Sequence, residues 1–414
     1  MTEEFPSIER LAWNIKNKLD TTTQKKRVIA LYAFNATGKT RLSNLLSGTD
    51  ANGEQTEEET ETPNEGIKTL CYNAFLEDMF TWDNENFILK FDPSYWIIKL
   101  VVDQGLETNI INNFKDITDS NGFKLEPSFD FTNWEVTFKI ASGDNMSASN
   151  IKISKGEESV FIWSVFYTIL ETAISELILI EENRSTDVFN NLEYIILDDP
   201  VSSIDDTRII SLAVRIANLI KNDHISDKLD DKKEELEKQE FTSEYIETSL
   251  TEFKSENYTE LKLKFLITTH HALYYNVLVN SFKRDNNINF KSYSLSKDNQ
   301  IFSLSDQGDS PFSYHLSVKE LIQNAMDSDN LEKYHFNLFR NLLEKTSNFL
   351  WYNDRSECLS WNNKQEFIRL LNIYSHSRLS DLESRELSVQ DKNIFQETFS
   401  DFIQNFNWHI DSDD

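Results

Sequence analysis

The chain has 414 residues, 39% of them hydrophobic and 12% aromatic, which suffices for two or three domains with sizeable cores. A net charge of −29 excludes a broad nucleic-acid-binding surface, and the two cysteines, Cys71 and Cys358, lie in no paired spacing, which excludes a disulfide framework or a zinc module. The N-terminus is acidic and has no apolar core, so no secretory peptide is read there and a cytoplasmic location is expected.

In chain order, the first chemistry lies in LYAFNATGKTRLSNLL, Leu31 to Leu46, where a short apolar strand runs into Gly38-Lys39-Thr40 and then into a helical pattern. A phosphate loop needs backbone N–H groups curled around the phosphates, a Lys for the β/γ oxygens and a hydroxyl for Mg²⁺. Asn35, Ala36, Thr37, Gly38, Lys39, Thr40 and Arg41 are therefore expected around a nucleotide, with Thr40 also on the metal. Ala33 replaces the first glycine of the pattern and Ala36 a glycine common in ATPases of this type, so a positive φ at Ala36 costs on the order of 1 kcal/mol. A plain strand-to-helix turn is the alternative.

The acidic run Asp50 to Gly66 reads as a solvated loop. In ISKGEES, Ser154, Gly156 and Glu157 open a long helical run and offer an N-terminal anion site. The run that follows, Phe161 to Ile180, has the length of a membrane span, but it holds Glu171 and Glu176 and is expected to be a buried core helix, with no membrane partner. In NLEYIILDDPVSSIDD, Tyr194 to Leu197 read as a buried parallel strand. It ends on Asp198, suited to Mg²⁺, and Asp199, suited to polarising a water; a helix N-cap is the alternative use of these acids. Asp205 follows in the SSID turn, an exposed acidic helical insertion is expected over about 225–260, and a strand from Phe265 to Ile267 leads to His270, placed to reach a γ-phosphate. An ordinary structural histidine is the alternative there.

This order of phosphate loop, Ser-x-Gly helix start, paired-acid strand, SSID turn and strand-end histidine resembles the head of an ABC-type ATPase. The resemblance implies two ATP or GTP sites with Mg²⁺ at the interface of a homodimer or higher even oligomer. The family's Q-loop glutamine has no clear counterpart, and there is neither a sustained heptad pattern nor a Cys-x-x-Cys hook between the loop and Ser154.

After about Asp285 a final strand or hairpin is expected, then a helical region from His315 in which Phe336, Phe339, Leu342, Leu343, Phe349 and Leu350 form a core face. Arg340 and Glu344, four apart, are side by side on it and by themselves read as an i,i+4 ion pair. The stretches YAFNATGKTRLS, YNAFLEDMFTWDN, SKGEESVFIWSVFYTIL, DDPVSSIDD, ITTHHALYYNVL, FSYHL and YHFNLFRNLLEKT resemble the PrrC-type anticodon nucleases from Leu31 to about Ser380. The resemblance implies an RNA-cutting triad of Arg340, Glu344 and His376, and an anticodon-reading segment in which Asp309 is the acidic position; that segment is about two residues shorter here, with Pro311 near where a basic residue is expected. It also implies tRNA(Lys) as substrate, silencing by a type I restriction-modification complex, an antiphage role, and dTTP beside ATP or GTP as ligand. Such chemistry needs a base for the 2′-OH, an acid for the leaving 5′ oxygen and a cation for the phosphorane, and gives a 2′,3′-cyclic phosphate and a 5′-OH without a metal. Arg369, seven residues before His376, also matches the Arg-x₆-His pattern of HEPN-type ribonucleases and is a further catalytic candidate.

The expected architecture is an α/β ABC-type ATPase head, 1–285, followed by a mostly α-helical, HEPN-like nuclease domain, 286–414. A DNA-repair or chromosome ATPase and a nucleotide-sensing scaffold for a partner nuclease are the alternatives.

Overall fold

The computed structural model describes residues 2–21, 26–48, 67–73, 78–118, 125–140, 150–201, 204, 206–222, 224–239, 241–283, 285, 288–298, 301–307, 314–359, 364–375 and 387–406. It divides into two units, Met1–Phe312 and Ser313–Asp414.

In the first unit the strands that matter to the site are β1 (Thr2–Phe5), β2 (Lys26–Ala33), β3 (Thr69–Tyr72), β8 (Tyr194–Asp198), β9 (Lys264–Thr269), β10 (Ile288–Asp298) and β11 (Ile301–Asp306). They form one sheet in the order β1-β11-β10-β2-β9-β8-β3. From β10 to β3 neighbours run parallel, while β11 pairs antiparallel with β10 and with β1. A second, antiparallel sheet, β4-β5-β7-β6, is built from Phe80–Asp83, Ile88–Phe91, Leu125–Asp130 and Glu135–Ile140. This is the expected α/β fold class.

The central strands are apolar on both faces because both are covered. Val28, Ile195, Leu197, Phe265 and Ile267 face the larger core, while Ile29, Leu31, Tyr194, Ile196 and Leu266 face the smaller one beneath α1 (Ile8–Asp20) and α2 (Lys39–Ser47). That alternation is the period-two geometry of a strand. The larger core gathers around α5 (Lys155–Leu177), which follows α3 (Trp96–Asp103) and α4 (Glu107–Thr118). Phe161, Trp163 and Phe166 of α5 are fully buried, each stabilising the fold by about 2–3 kcal/mol.

Helix α5 is long and apolar enough to cross a membrane by length and composition, yet 72% of that window is buried inside the fold. Its acids are satisfied. Glu171 accepts a 2.7 Å bond from Asn113 of α4, and Glu176 accepts the backbone N–H and hydroxyl of Ser185. The acidic insertion forms two mostly exposed helices, α7 (His224–Lys238) and α8 (Ser243–Asn257), after α6 (Asp206–Lys221). The acidic run 50–66 lies outside the described residues.

A boundary at 285 is not where the units divide. After α9 (Ala272–Phe282), β10 lies beside the phosphate-loop strand, with Phe290 opposite Val28 and Leu295 opposite Ala33, so the β10–β11 hairpin belongs to the head. The second unit is helical: α10 (Tyr314–Asp327), α11 (Lys333–Phe349), α12 (Lys364–Ser375) and α13 (Val389–Asn405). Phe336, Phe339, Leu342 and Leu343 of α11 are fully buried, and Phe336 and Phe339 meet Phe367 and Phe395. Phe349 and Leu350 depart from the expected core face: α11 ends there, and they are 84% and 37% exposed.

Candidate functional site

Three parallel neighbours, β2, β9 and β8, end at one edge of the sheet, the position at which open α/β sheets bind ligands. The loop after β2 turns through Ala36 at φ 65° and Gly38 at φ 98° before α2 begins at Lys39. The φ of 98° at Gly38 is one that L side chains rarely adopt, and a Cβ there would also stand 2.9 Å from Ile8 Cδ1, so the turn favours glycine. Lys39 is 7% exposed, and its ammonium donates to Ala33 O at 3.1 Å, Phe34 O at 3.2 Å and Asn35 Oδ1 at 3.3 Å. Burial lowers its pKa, opposed by the charges of Asp199 and Asp198. Thr37 is turned inward, its hydroxyl donating to Phe34 O at 2.7 Å.

Asp198 ends β8 opposite Thr268 of β9, whose hydroxyl donates to Asp198 Oδ1 at 2.6 Å. Burial pushes the Asp198 pKa up, against hydrogen bonds from Thr268 and Thr40. A hydroxyl and a carboxylate side by side are a hard-oxygen donor set. Among the described residues no group of three or more His, Cys, Asp or Glu could hold a metal, so an ion here would draw its remaining ligands from phosphates and water. The donor set and the glycine-dependent turn fit a Mg²⁺–nucleotide. Thr40 and Asp198 would hold the metal, and Lys39 and the loop N–H groups the phosphates.

Asp199 has φ 53°, and its N–H donates to Thr268 O at 2.9 Å. Its Oδ1 accepts from the Thr269 hydroxyl at 3.2 Å and the His270 N–H at 3.3 Å, Oδ2 pairs with His270 Nδ1, and Lys39 stands 3.7 Å away. Burial acts to raise its pKa, but the hydrogen bond and charge of His270, together with Lys39, outweigh it and hold the carboxyl below its usual range. The structure thus brings Lys39, Asp198, Asp199 and His270 together. The helix-cap alternative for the acids does not describe them, because β8 and β9 hold both.

Ser154 caps α5 in a capping box, its Oγ accepting from Glu157 N at 3.2 Å while Glu157 Oε2 accepts from Ser154 N at 2.7 Å. Gly156 lies in the first turn of this helix. Arg41 pairs with Glu9 of α1 at 2.6 Å. Asp205, Asp309 and His376 lie outside the described residues.

In the helical unit, Arg340 Nε donates to Glu344 Oε1 at 2.8 Å, as the four-residue spacing demands. A second guanidinium, unforeseen from the sequence, reaches the same oxygen: Arg355 Nη1 at 2.7 Å, from the short 3₁₀ turn Arg355–Cys358. Its Nη2 donates to Asn372 Oδ1 on α12 at 3.1 Å. Burial acts to raise the Glu344 pKa, but Arg340 and Arg355 outweigh it and lower it. Arg369 is exposed on α12 and makes no ion pair or hydrogen bond among the described residues. No periodicity links Arg355 to Glu344; only the tertiary turn does. Thr268 and Thr269 belong to no motif of their own, and their place before His270 on the strand beside β8 is the trace they leave in the sequence.

An anticodon nuclease of Escherichia coli is 36% identical over 399 residues, covering 92% of this chain and 89% of that protein. No protein-family model matches the chain. Similar solved structures include an SMC head bound to the C-winged helix domain of ScpA, at 10% identity over 69% of this chain and 90% of that one with a TM-score of 0.30. Another is an SMC head domain from Thermotoga maritima, at 10% identity over 70% and 91% with a TM-score of 0.26.

Proposed function

The chain belongs to the anticodon nuclease family, and from that premise we propose that it is a nucleotide-gated endoribonuclease that cuts a tRNA anticodon loop, with tRNA(Lys) the first substrate to test. The observation that carries this reading is the Arg340–Glu344 pair, joined by Arg355, in the helical unit of a chain so closely related to an anticodon nuclease. The cluster is partly buried, and two arginines converging on one carboxylate oxygen support a role for Glu344 beyond that of an i,i+4 ion pair.

In the proposed reaction Glu344 and His376 divide the base and acid roles, and Arg340 offers its guanidinium to the phosphorane. The products are a 2′,3′-cyclic phosphate and a 5′-OH, with no metal in the cutting step. Arg369 is the further candidate, in which case two chains would build one HEPN-like site. Asp309 is proposed to read the anticodon.

In the head, Lys39 and the loop N–H groups would hold the phosphates of a nucleoside triphosphate, with Thr40 and Asp198 on its Mg²⁺, and the γ-phosphate would be what the gate reads. Lys39 would exchange its carbonyl partners for the phosphates, Asp199 would orient a water, and His270 would hold Asp199. Ser154, Gly156 and Glu157 of one chain are proposed to meet the nucleotide held by another, with Asp205 at the same interface, which makes the working form a dimer or a higher even oligomer. ATP or GTP is the proposed fuel and dTTP a further ligand. The proposal places the protein in the cytoplasm as an antiphage toxin silenced by a type I restriction-modification complex.

The test is to incubate purified protein with total tRNA and ATP, GTP or dTTP, and to map new ends. Nucleotide-dependent cuts in one anticodon loop, leaving cyclic phosphate ends, are expected. Intact tRNA under every nucleotide, with hydrolysis stimulated by DNA instead, overturns the reading in favour of a DNA-dependent ATPase.

A further inference from the structure

Building on that reading of Arg340 and Glu344, we propose that Arg355 is a positioning residue of the cutting site: it completes a two-guanidinium clamp on one oxygen of Glu344 and leaves the other free to take the proton of the attacking hydroxyl. Both Arg340 Nε and Arg355 Nη1 bond Oε1, at 2.8 and 2.7 Å, and among the described residues Oε2 accepts no hydrogen bond. A carboxylate gripped at one oxygen cannot rotate, so its second oxygen points one way.

The clamp is itself held. Asp354 caps the turn by accepting from Ser356 N at 2.7 Å, and buried Cys358 lies with its Sγ 3.7 Å from Leu343 O of α11. Arg355 also bonds Asn372, on the helix that ends immediately before His376 in sequence. The turn therefore joins α11, which carries Arg340 and Glu344, to α12.

Charge points the same way. Two guanidiniums and one carboxylate leave a local excess of one positive charge in a chain whose net charge is −29. Such a spot favours a phosphate. The charged groups acting on Glu344 are Arg340 from its own helix and Arg355 from the turn, while Asn372, which reaches the cluster from α12, is neutral. Glu344 held ionised in this way can accept a proton but has none to give. In the balanced step the O2′–H proton passes to Glu344 Oε2 as O2′ bonds phosphorus. The P–O5′ bond then breaks, and O5′ takes a proton from the acid, His376 in the proposed triad.

The experiment is the pH profile of tRNA cleavage by the full chain carrying Arg355→Ala, Arg355→Lys or Glu344→Gln. Arg355→Ala is expected to lower kcat by up to about 10²-fold with KM nearly unchanged. It should also move the acid limb to higher pH, because a carboxylate that loses a neighbouring cation holds its proton more tightly. Arg355→Lys should restore the limb and part of the rate, and Arg355→Ala should add nothing in a Glu344→Gln background. If Arg355→Ala does not fold, Arg355→Gln, which keeps a donor for Asn372, carries the same expected shift. An unmoved acid limb, with rate falling only in step with thermal stability, would overturn the inference alone. Normal cleavage by well-folded Glu344→Gln protein would overturn the nuclease-site reading and this inference with it.

Discussion

Ala36 shows how much the phosphate loop asks of a single residue. Its φ of 65° is one that a side chain disfavours and glycine adopts freely, so the strain anticipated from its position in the loop is present in the fold. Ala36→Gly is therefore expected to stabilise the head by roughly 0.5–1 kcal/mol while leaving nucleotide affinity in place, measured by denaturant melts beside a nucleotide titration. A fall in stability would show that the lost methyl contacts outweigh the relieved strain. His335 makes the opposite kind of demand in the helical unit. Its Nδ1 accepts from Glu332 N at 2.9 Å, the ring is fully buried, and Nε2 has no partner among the described residues. Burial pushes its pKa from 6.5 down to about 4. Because the folded pKa is depressed, the unfolded chain binds a proton between those values that the folded chain does not, and stability is lost as pH falls through that window. A loss on the order of 2 kcal/mol between pH 6.5 and 4 is expected in thermal melts, and His335→Gln, which does not titrate, should flatten that part of the profile.

At the scale of elements, strand β8, strand β9 and helix α5 are legible because each carries its own pattern: a short apolar run ending in acids, another ending in Thr-Thr-His, and a long apolar run behind a Ser-x-Gly start. The hairpin β10–β11 is legible as strands, but the unit it joins is not. Its half-polar alternation gives a strand its faces but does not name its partner, and β10 finds that partner in β2, far back in the chain. Arg340 and Glu344 were legible by spacing, whereas Arg355 was not, since its contact exists only once the 3₁₀ turn has closed on α11. The capping box of α5 already employs Ser154. In the free chain its hydroxyl is engaged by Glu157 N, and Ser154→Ala should cost about 1 kcal/mol of stability for that reason alone. If Ser154 also meets nucleotide across a dimer, the variant should lose nucleotide-induced dimerisation by more than that cost, in sedimentation or light scattering. Unchanged dimerisation would leave Ser154 as a cap and nothing more.

For the whole molecule, the division into two units predicts that two activities can be removed separately. His376→Ala is expected to reduce tRNA cleavage by roughly 10²-fold or more, the scale of one acid–base group, while nucleotide hydrolysis and melting temperature stay near wild type. Lys39→Ala should abolish nucleotide binding, and with it the gating of cleavage, by removing the cation the loop offers the phosphates. Joint loss of both activities and of stability in His376→Ala would mark a structural histidine instead. The sheet order has one more consequence, for biosynthesis. Val28 of the phosphate-loop strand pairs with Phe265 on one side and Phe290 on the other, so during translation β2 waits for both neighbours until most of the chain has left the ribosome. The helix that carries Arg340 and Glu344 is made after that. A chain built in this order can close the sheet around its phosphate loop before its helical unit has been synthesised.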